Sequence, residues 1–198
     1  SVRFDKRGIA QSLPAAPDER TLTLDQYVTD AVAWGQQLKA DPRFGDVYVL
    51  GHSEGALIAS LAGPRMDATA VISIAGTARP VGQVLREQLQ RNHLPPSLLQ
   101  RSFELIHTLE DARTDDNVPQ ALQVIFRPSV QPYLISLLRH NPAKAFAALT
   151  MPALIIQGTH DIQVDVNDAR SLKAAKPDAD LTLIDGMNHV MRIVRMEM

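Results

Sequence analysis

Val47-Tyr48-Val49-Leu50-Gly51-His52-Ser53-Glu54-Gly55-Ala56-Leu57-Ile58-Ala59-Ser60-Leu61-Ala62 is the stretch whose reading decides the fold. Residues 47–50 are apolar and rich in β-formers, which reads as a strand buried on both faces. Residues 56–62 read as a helix, ended by Gly63-Pro64. Between them, Gly51-x-Ser53-x-Gly55 forces a sharp strand-to-helix reversal with a strained backbone at the serine. Glycines two before and two after the serine are expected to remove Cβ clashes with the flanking elements. The serine Oγ is then held above the C-terminal end of the strand, and the helix points its N-terminus at the same spot, which favours developing negative charge. By itself the pattern is also that of an ordinary Gly-rich turn with an incidental serine. The strand before it and the helix after it single out Ser53 as a candidate nucleophile.

Working outward, residues 9–22 hold Pro14 and Pro17 and read as loop. A helical pattern then runs from Thr23 to about residue 40, with Leu24, Tyr27, Val28, Ala31, Val32, Trp34 and Leu38 as its apolar positions. Thr23 with Gln26 fits a capping box, Asp41-Pro42 fits a stop, and Trp34 is expected in the core. Residues 70–75 form the next apolar strand, closed by Gly76. Residues 153–156 form another, closed by Gly158, and residues 181–184 the last, closed by Gly186. A helix is expected at 169–176, stopped by Pro177. Strands of this kind alternating with helices imply an α/β fold with a mostly parallel sheet. Residues 79–148 break the alternation. They carry helical patterns at 81–90, 97–109, 130–139 and 143–149, interrupted by Pro95, Pro96, Pro119 and Pro128. The expected organisation is a sheet core from residues 1–78 and 149–198, with a helical lid insertion at 79–148.

A serine hydroxyl is a poor nucleophile until a base takes its proton, and the base is best a histidine oriented by a carboxylate. Gly158-Thr159-His160-Asp161 places Asp161 just past one strand, and Gly186-Met187-Asn188-His189 places His189 just past the last. Taken singly, Asp161 also reads as a turn or capping aspartate and His189 as a surface-loop histidine. Asp165 and Asp168 are rival acids, with Asp168 expected to cap the helix that starts at Ala169. The shared sheet edge favours Ser53, Asp161 and His189 as one constellation.

Composition narrows the partners. The chain has 198 residues with 20 Lys+Arg against 22 Asp+Glu, a net charge of −2, and no basic run, which argues against nucleic acid. No apolar stretch approaches the ~20 residues a membrane span needs. With 0 cysteines, disulfides, Cys-type zinc sites and a Cys nucleophile are excluded. His93, His107, His140 and His160 lack metal-ligand spacing, so no metal site is expected.

With these residues in place, the sequence resembles the α/β-hydrolase superfamily, most closely the serine aminopeptidase and prolyl-oligopeptidase-like esterase group. The order Ser53, Asp161, His189 is that superfamily's order. Asp5-Lys6-Arg7-Gly8-Ile9-Ala10-Gln11-Ser12 is similar to its D-x-R-G-x-G-x-S loop, with Ala10 where a glycine is usual. The resemblance implies acyl transfer to water on a small-molecule acyl substrate. Ser53 would attack, His189 would shuttle the proton, Asp161 would hold the imidazole, and the backbone N–H of Glu54 would be one oxyanion donor. No cofactor is implied. A serine at 53 disfavours the dehalogenase and epoxide-hydrolase reactions, which use an aspartate there. Ester or thioester hydrolysis, aminopeptidase action, and a non-catalytic protein that keeps the fold all stay open at this point.

The ends depart from the family pattern. Residues 1–5 read as the tail of a strand entering the Lys6-Arg7-Gly8 turn. The family strands that precede it, with the loop that supplies a second oxyanion donor, are not seen, nor is a helix after His189. The expectation is therefore a shortened sheet with an unpaired strand edge. Elsewhere, His52 is expected to pack or hydrogen-bond rather than react. Met187 and Met191 are expected to pack beside His189. Glu110, Asp111, Asp115 and Asp116 read as a solvated helix end, or as carboxylates for a substrate's amino group.

Overall fold

A computed structural model describes residues 1–194. In chain order the elements are α1 (Leu24–Ala40), β1 (Tyr48–His52), α2 (Glu54–Ala62), β2 (Ala70–Ile74), α3 (Val81–Arg91), α4 (Pro96–Glu110), α5 (Gln123–Phe126), α6 (Gln131–Leu138), α7 (Pro142–Ala147), β3 (Ala153–Gly158), α8 (Val166–Ala175) and β4 (Asp180–Ile184). Packing divides them into two compact units. One comprises Ser1–Tyr27 and Val81–His140, the other Val28–Pro80 and Asn141–Met198. Residues 1–27, expected with the sheet, thus pack with the helices, and residues 141–148, expected with the helices, pack with the sheet.

The second unit is built on a four-stranded sheet in the order β1-β2-β3-β4, parallel throughout. Its strands are Val- and Ile-rich, as strands between parallel neighbours need to be. Ala59 of α2, Phe146 of α7, and Ala169 and Leu172 of α8 pack in one cluster with Val71, Ala153 and Ile155 of the sheet, and Val49 and Leu181 join it. The register pairs Gly51 with Ser73, Ser73 with Ile155 and Ile155 with Leu181, which brings the C-terminal strand ends together at one edge. The expectation that residues 47–50 are buried on both faces is corrected. Tyr48 and Leu50 are each 57% exposed, because β1 lies at the end of the strand order and the helical cluster takes only its Val49 side. Trp34, expected in the core, is 44% exposed on α1. Asp165, not Asp168, caps α8, its side chain accepting from Asn167 N.

The first unit is helical. Leu89, Leu105, Ile106, Leu109, Leu122, Phe126, Leu134 and Leu138 form its core. Gln131 is buried beside it with its amide fully used: Nε2 donates to Asp115 O at 2.7 Å and Phe126 O at 2.8 Å, and Oε1 accepts from Asp115 N at 2.8 Å. The capping box forms at α1, with Gln26 Oε1 accepting from Thr23 N and Thr23 Oγ1 accepting from Gln26 N. The strand expected at residues 1–5 does not form. Asp5 Oδ2 instead accepts from Gln11 N at 3.1 Å across the loop. Ala10, at the family's glycine position, takes φ 45°, a left-handed backbone that costs an L residue roughly 1–2 kcal/mol. Of the chain's last stretch, read as lacking a helix, residues 195–198 lie outside the described residues. No helix among the described residues is long and apolar enough to cross a membrane.

Candidate active site

The site lies within the sheet-bearing unit and starts from the turn between β1 and α2. Ser53 has φ 57° and ψ −121°, a conformation worth about 1–3 kcal/mol of strain for a residue with a side chain. Two bonds hold it there: Ser53 N donates to Ile74 O at the end of β2 at 2.9 Å, and Ala56 N donates to Ser53 O at 3.0 Å. Gly51 is indispensable to this reversal, since a Cβ on it would lie 1.9 Å from Gly55 O. Gly55 is different. A Cβ there would meet nothing within 4 Å, so only one of the two glycines relieves a clash among the residues described.

Three strand ends converge on Ser53. His189 Nε2 is 3.1 Å from Ser53 Oγ, and His189 Nδ1 is 2.8 Å from Asp161 Oδ2. The carboxylate can only accept, so Nδ1 carries the proton and Nε2 presents its lone pair to the Ser53 hydroxyl, which donates. Asp161 has its side chain almost wholly buried and every oxygen satisfied. Oδ1 accepts from Gln163 N at 2.8 Å and Val164 N at 3.0 Å, while Oδ2 also accepts from Gln157 Nε2 at 3.2 Å. Four donors on one carboxylate fix its plane. The residues expected together from sequence are thus brought together: Ser53, Asp161 and His189 form one continuous chain of hydrogen bonds. Glu54 is the first residue of α2, so its amide belongs to the positive end of that helix.

The acid and base loops are fastened to each other. A Cβ at Gly158 would lie 2.0 Å from Met187 O, so glycine alone lets the end of β3 approach the His189 loop this closely. His160 N donates to the same Met187 O at 3.0 Å. Thr159 Oγ1 donates to Asp185 Oδ1 at 3.0 Å and accepts from Gly186 N at 2.9 Å. The His189 loop also closes on itself. Val194 N donates to Gly186 O, and Asn188 Oδ1 takes the N–H groups of Val190 and Arg192. Met187 packs here as expected, whereas Met191 is half exposed.

Gln157 carries a role the sequence reading did not assign. It lies in β3, four residues before Asp161, and its Nε2 donates to the carboxylate at 3.2 Å; its signal is a lone polar residue inside an apolar strand. His52, expected to pack or hydrogen-bond, places its Nε2 2.7 Å from the main-chain oxygen of His189. The rival acid Asp168 serves elsewhere. Buried, it accepts from Thr77 Oγ1 at 2.9 Å, from Ala78 N at 2.9 Å, and from Arg79 Nε and Nη2 at 3.0 and 2.7 Å. Burial pushes its carboxyl up, but these donors outweigh burial and leave it below the usual carboxylate range. In the helical unit, Glu110, Asp111 and Asp115 pair with Arg86, Arg113 and Arg101 at 2.6, 2.9 and 2.6 Å. No group of three or more metal-ligating side chains lies together among the described residues.

Residues 1–192 match the family described as "Serine aminopeptidase, S33". The chain belongs to that family. The chain is similar to Esterase EstD of Thermotoga maritima, 30% identical over 195 residues, a match that takes in 96% of this chain and 45% of the relative. The chain therefore spans about half the length of that curated relative. Among solved structures, Rv0554 from Mycobacterium tuberculosis superposes with a TM-score of 0.59 at 22% identity, over 94% of this chain and 71% of that one. Est1E from Butyrivibrio proteoclasticus, solved with ferulic acid bound, gives 0.59 at 17% identity over 87% and 63%. At such identities the structural likeness speaks to the fold, which is that of the α/β-hydrolases.

Proposed function

We propose that this member of the serine aminopeptidase S33 family is a serine hydrolase that cleaves a small ester or thioester through an acyl-enzyme. The observation that carries the reading is the Ser53 Oγ–His189 Nε2–His189 Nδ1–Asp161 Oδ2 chain, at 3.1 and 2.8 Å. In the first half-reaction the Ser53 oxygen bonds to the substrate carbonyl carbon as its proton passes to His189 Nε2. The bond to the leaving group then breaks, and that proton leaves with the departing alcohol or thiol. In the second half, water gives a proton to His189, its oxygen attacks the acyl carbon, and the proton returns to Ser53 as the acid departs. Asp161 stays ionised throughout and steadies the imidazolium. The Glu54 amide, at the head of α2, is suited to stabilise the oxyanion.

Ester cleavage is favoured over aminopeptidase action by the name of the Thermotoga maritima relative, an esterase. Of the four acidic residues Glu110, Asp111, Asp115 and Asp116, the first three each face an arginine. The test is treatment with a fluorophosphonate, with mass added at Ser53 expected in the wild type and none in Ser53→Ala. Aryl esters, thioesters and aminoacyl amides are then compared as substrates. Turnover confined to substrates with a free α-amine would replace the esterase reading by the aminopeptidase one, and a folded wild type that takes no label would indicate a non-catalytic protein.

A further inference from the structure

His52 precedes the proposed nucleophile in the turn, yet it reaches the same residue that Ser53 reaches. Its Nε2 lies 2.7 Å from the main-chain oxygen of His189, and the two imidazole rings sit with centroids 4.9 Å apart, tilted by 49°. Ser53 Oγ meets the side chain of His189 at Nε2, 3.1 Å away. Adjacent residues of one turn therefore grip His189 at both ends, one by its main chain and one by its ring. A carbonyl oxygen only accepts, so His52 Nε2 must carry hydrogen. Asp161 fixes the rotation of the His189 ring, but it sits on the β3 side of the sheet and does nothing to fix the distance from His189 to the β1 turn. The His52 bond spans that gap.

We infer that His52 is a positioning residue, whose Nε2–H, donated to the His189 main-chain oxygen, sets the distance between Ser53 Oγ and His189 Nε2. The inference rests on Ser53 being the nucleophile. A displacement near 1 Å at such a contact is enough to cost on the order of 10²-fold in rate.

The test compares His52→Phe, which keeps a ring but has no donor, with His52→Gln, which keeps a donor but has no ring. Second-order rates of Ser53 labelling by a fluorophosphonate are read beside kcat and KM on an aryl ester and beside Tm. The expected result is a loss of roughly 10- to 100-fold in labelling rate and kcat for His52→Phe, with KM within about 2-fold and Tm close to wild type, and a loss within about 5-fold for His52→Gln. Wild-type rates in His52→Phe would overturn the inference while leaving Ser53 intact. Equal losses in both variants, together with a lowered Tm, would also overturn it, by making the ring's packing the cause. A wild type that does not label would remove the Ser53 reading instead. The imidazole tautomers, read from nitrogen–proton correlation spectra of wild type and Ser53→Ala, then decide about His52. A neutral Nε2–H form supports the bond, and a neutral Nδ1–H form overturns it whether or not Ser53 reacts.

Discussion

Gly158→Ala tests the fastening of the acid and base loops most directly. The new Cβ would lie 2.0 Å from Met187 O, 2.6 Å from Met187 C and 3.0 Å from Met187 Cβ. Ordinary carbon contacts begin near 3.5 Å, so the peptide at Met187 has to retreat by roughly 1 Å or more. It cannot retreat freely, because His160 N donates to the same oxygen at 3.0 Å, and it lies two residues before His189. Overpacking of this kind costs about 1–3 kcal/mol, which in a domain of this size lowers Tm by roughly 2–4 °C per kcal/mol. The larger effect falls on chemistry. A 1 Å shift of His189 relative to Ser53 is expected to reduce kcat/KM by on the order of 10²-fold. The assay is ester turnover with fluorophosphonate labelling, beside a thermal melt. Gly158→Ala with wild-type kcat/KM and Tm would refute the argument that this glycine exists for the close approach of the two loops.

Gly55→Ala is the counterpart in the serine turn. With nothing within 4 Å of the new methyl, the change is expected to raise Tm by about 2–4 °C, from roughly 1 kcal/mol of helix propensity, whereas Gly51→Ala, with its Cβ 1.9 Å from Gly55 O, is expected to lower Tm. Asp161→Asn keeps an oxygen for Gln163 N and Val164 N but no longer selects the Nδ1–H tautomer of His189; kcat on an ester is expected to fall by on the order of 10⁴-fold with little change in Tm. Asp168→Asn removes the carboxylate charge that Arg79 Nε and Nη2 meet, and because Arg79 keeps 27% of its side chain exposed the cost is expected at about 2–3 kcal/mol, read as a Tm drop of roughly 4–12 °C. Since the folded carboxyl of Asp168 lies below its unfolded value of 3.8, its stabilisation is complete above about pH 5 and is lost as pH falls through and below 3.8. Melts from neutral to acid pH should therefore show the wild type and Asp168→Asn converging at the acid end, and parallel curves would contradict this.

Much of the site was legible because each residue closes a strand. Residues 153–156 and 181–184 are short apolar runs ended by glycine, so the positions of Asp161 and His189 follow from where the strands stop. The Ser53 turn is legible for the same reason. What escaped depends on contacts between segments distant in sequence. Nothing near Asp168 announces Thr77, Ala78 and Arg79, some ninety residues earlier, and capping of the nearest helix was the local reading. Asp165 took that role because Asn167 N lies within its reach. The burial of β1 was misjudged because composition reports which strands can be enclosed, whereas Tyr48 and Leu50 depend on whether a neighbour lies beyond them. Residues 1–27 group with the helical unit through contacts that only the folded chain shows.

The strand order divides the proposed machinery mechanically. Ser53 follows β1, Asp161 and His189 follow β3 and β4, and β2 lies between the two sets. Loops after β3 and β4 are sewn together at Gly158, Thr159 and His160, so the His189–Asp161 separation is a stiff coordinate. The Ser53–His189 separation crosses β2 and is the soft one, restrained across the gap by His52. A sliding motion of β1 and β2 past β3 would open the nucleophile–base contact and leave the acid–base contact closed. Warming, pressure or a cosolvent that loosens the sheet should therefore silence such an enzyme by disengaging its nucleophile, while the imidazole keeps its tautomer and its carboxylate until the sheet itself melts.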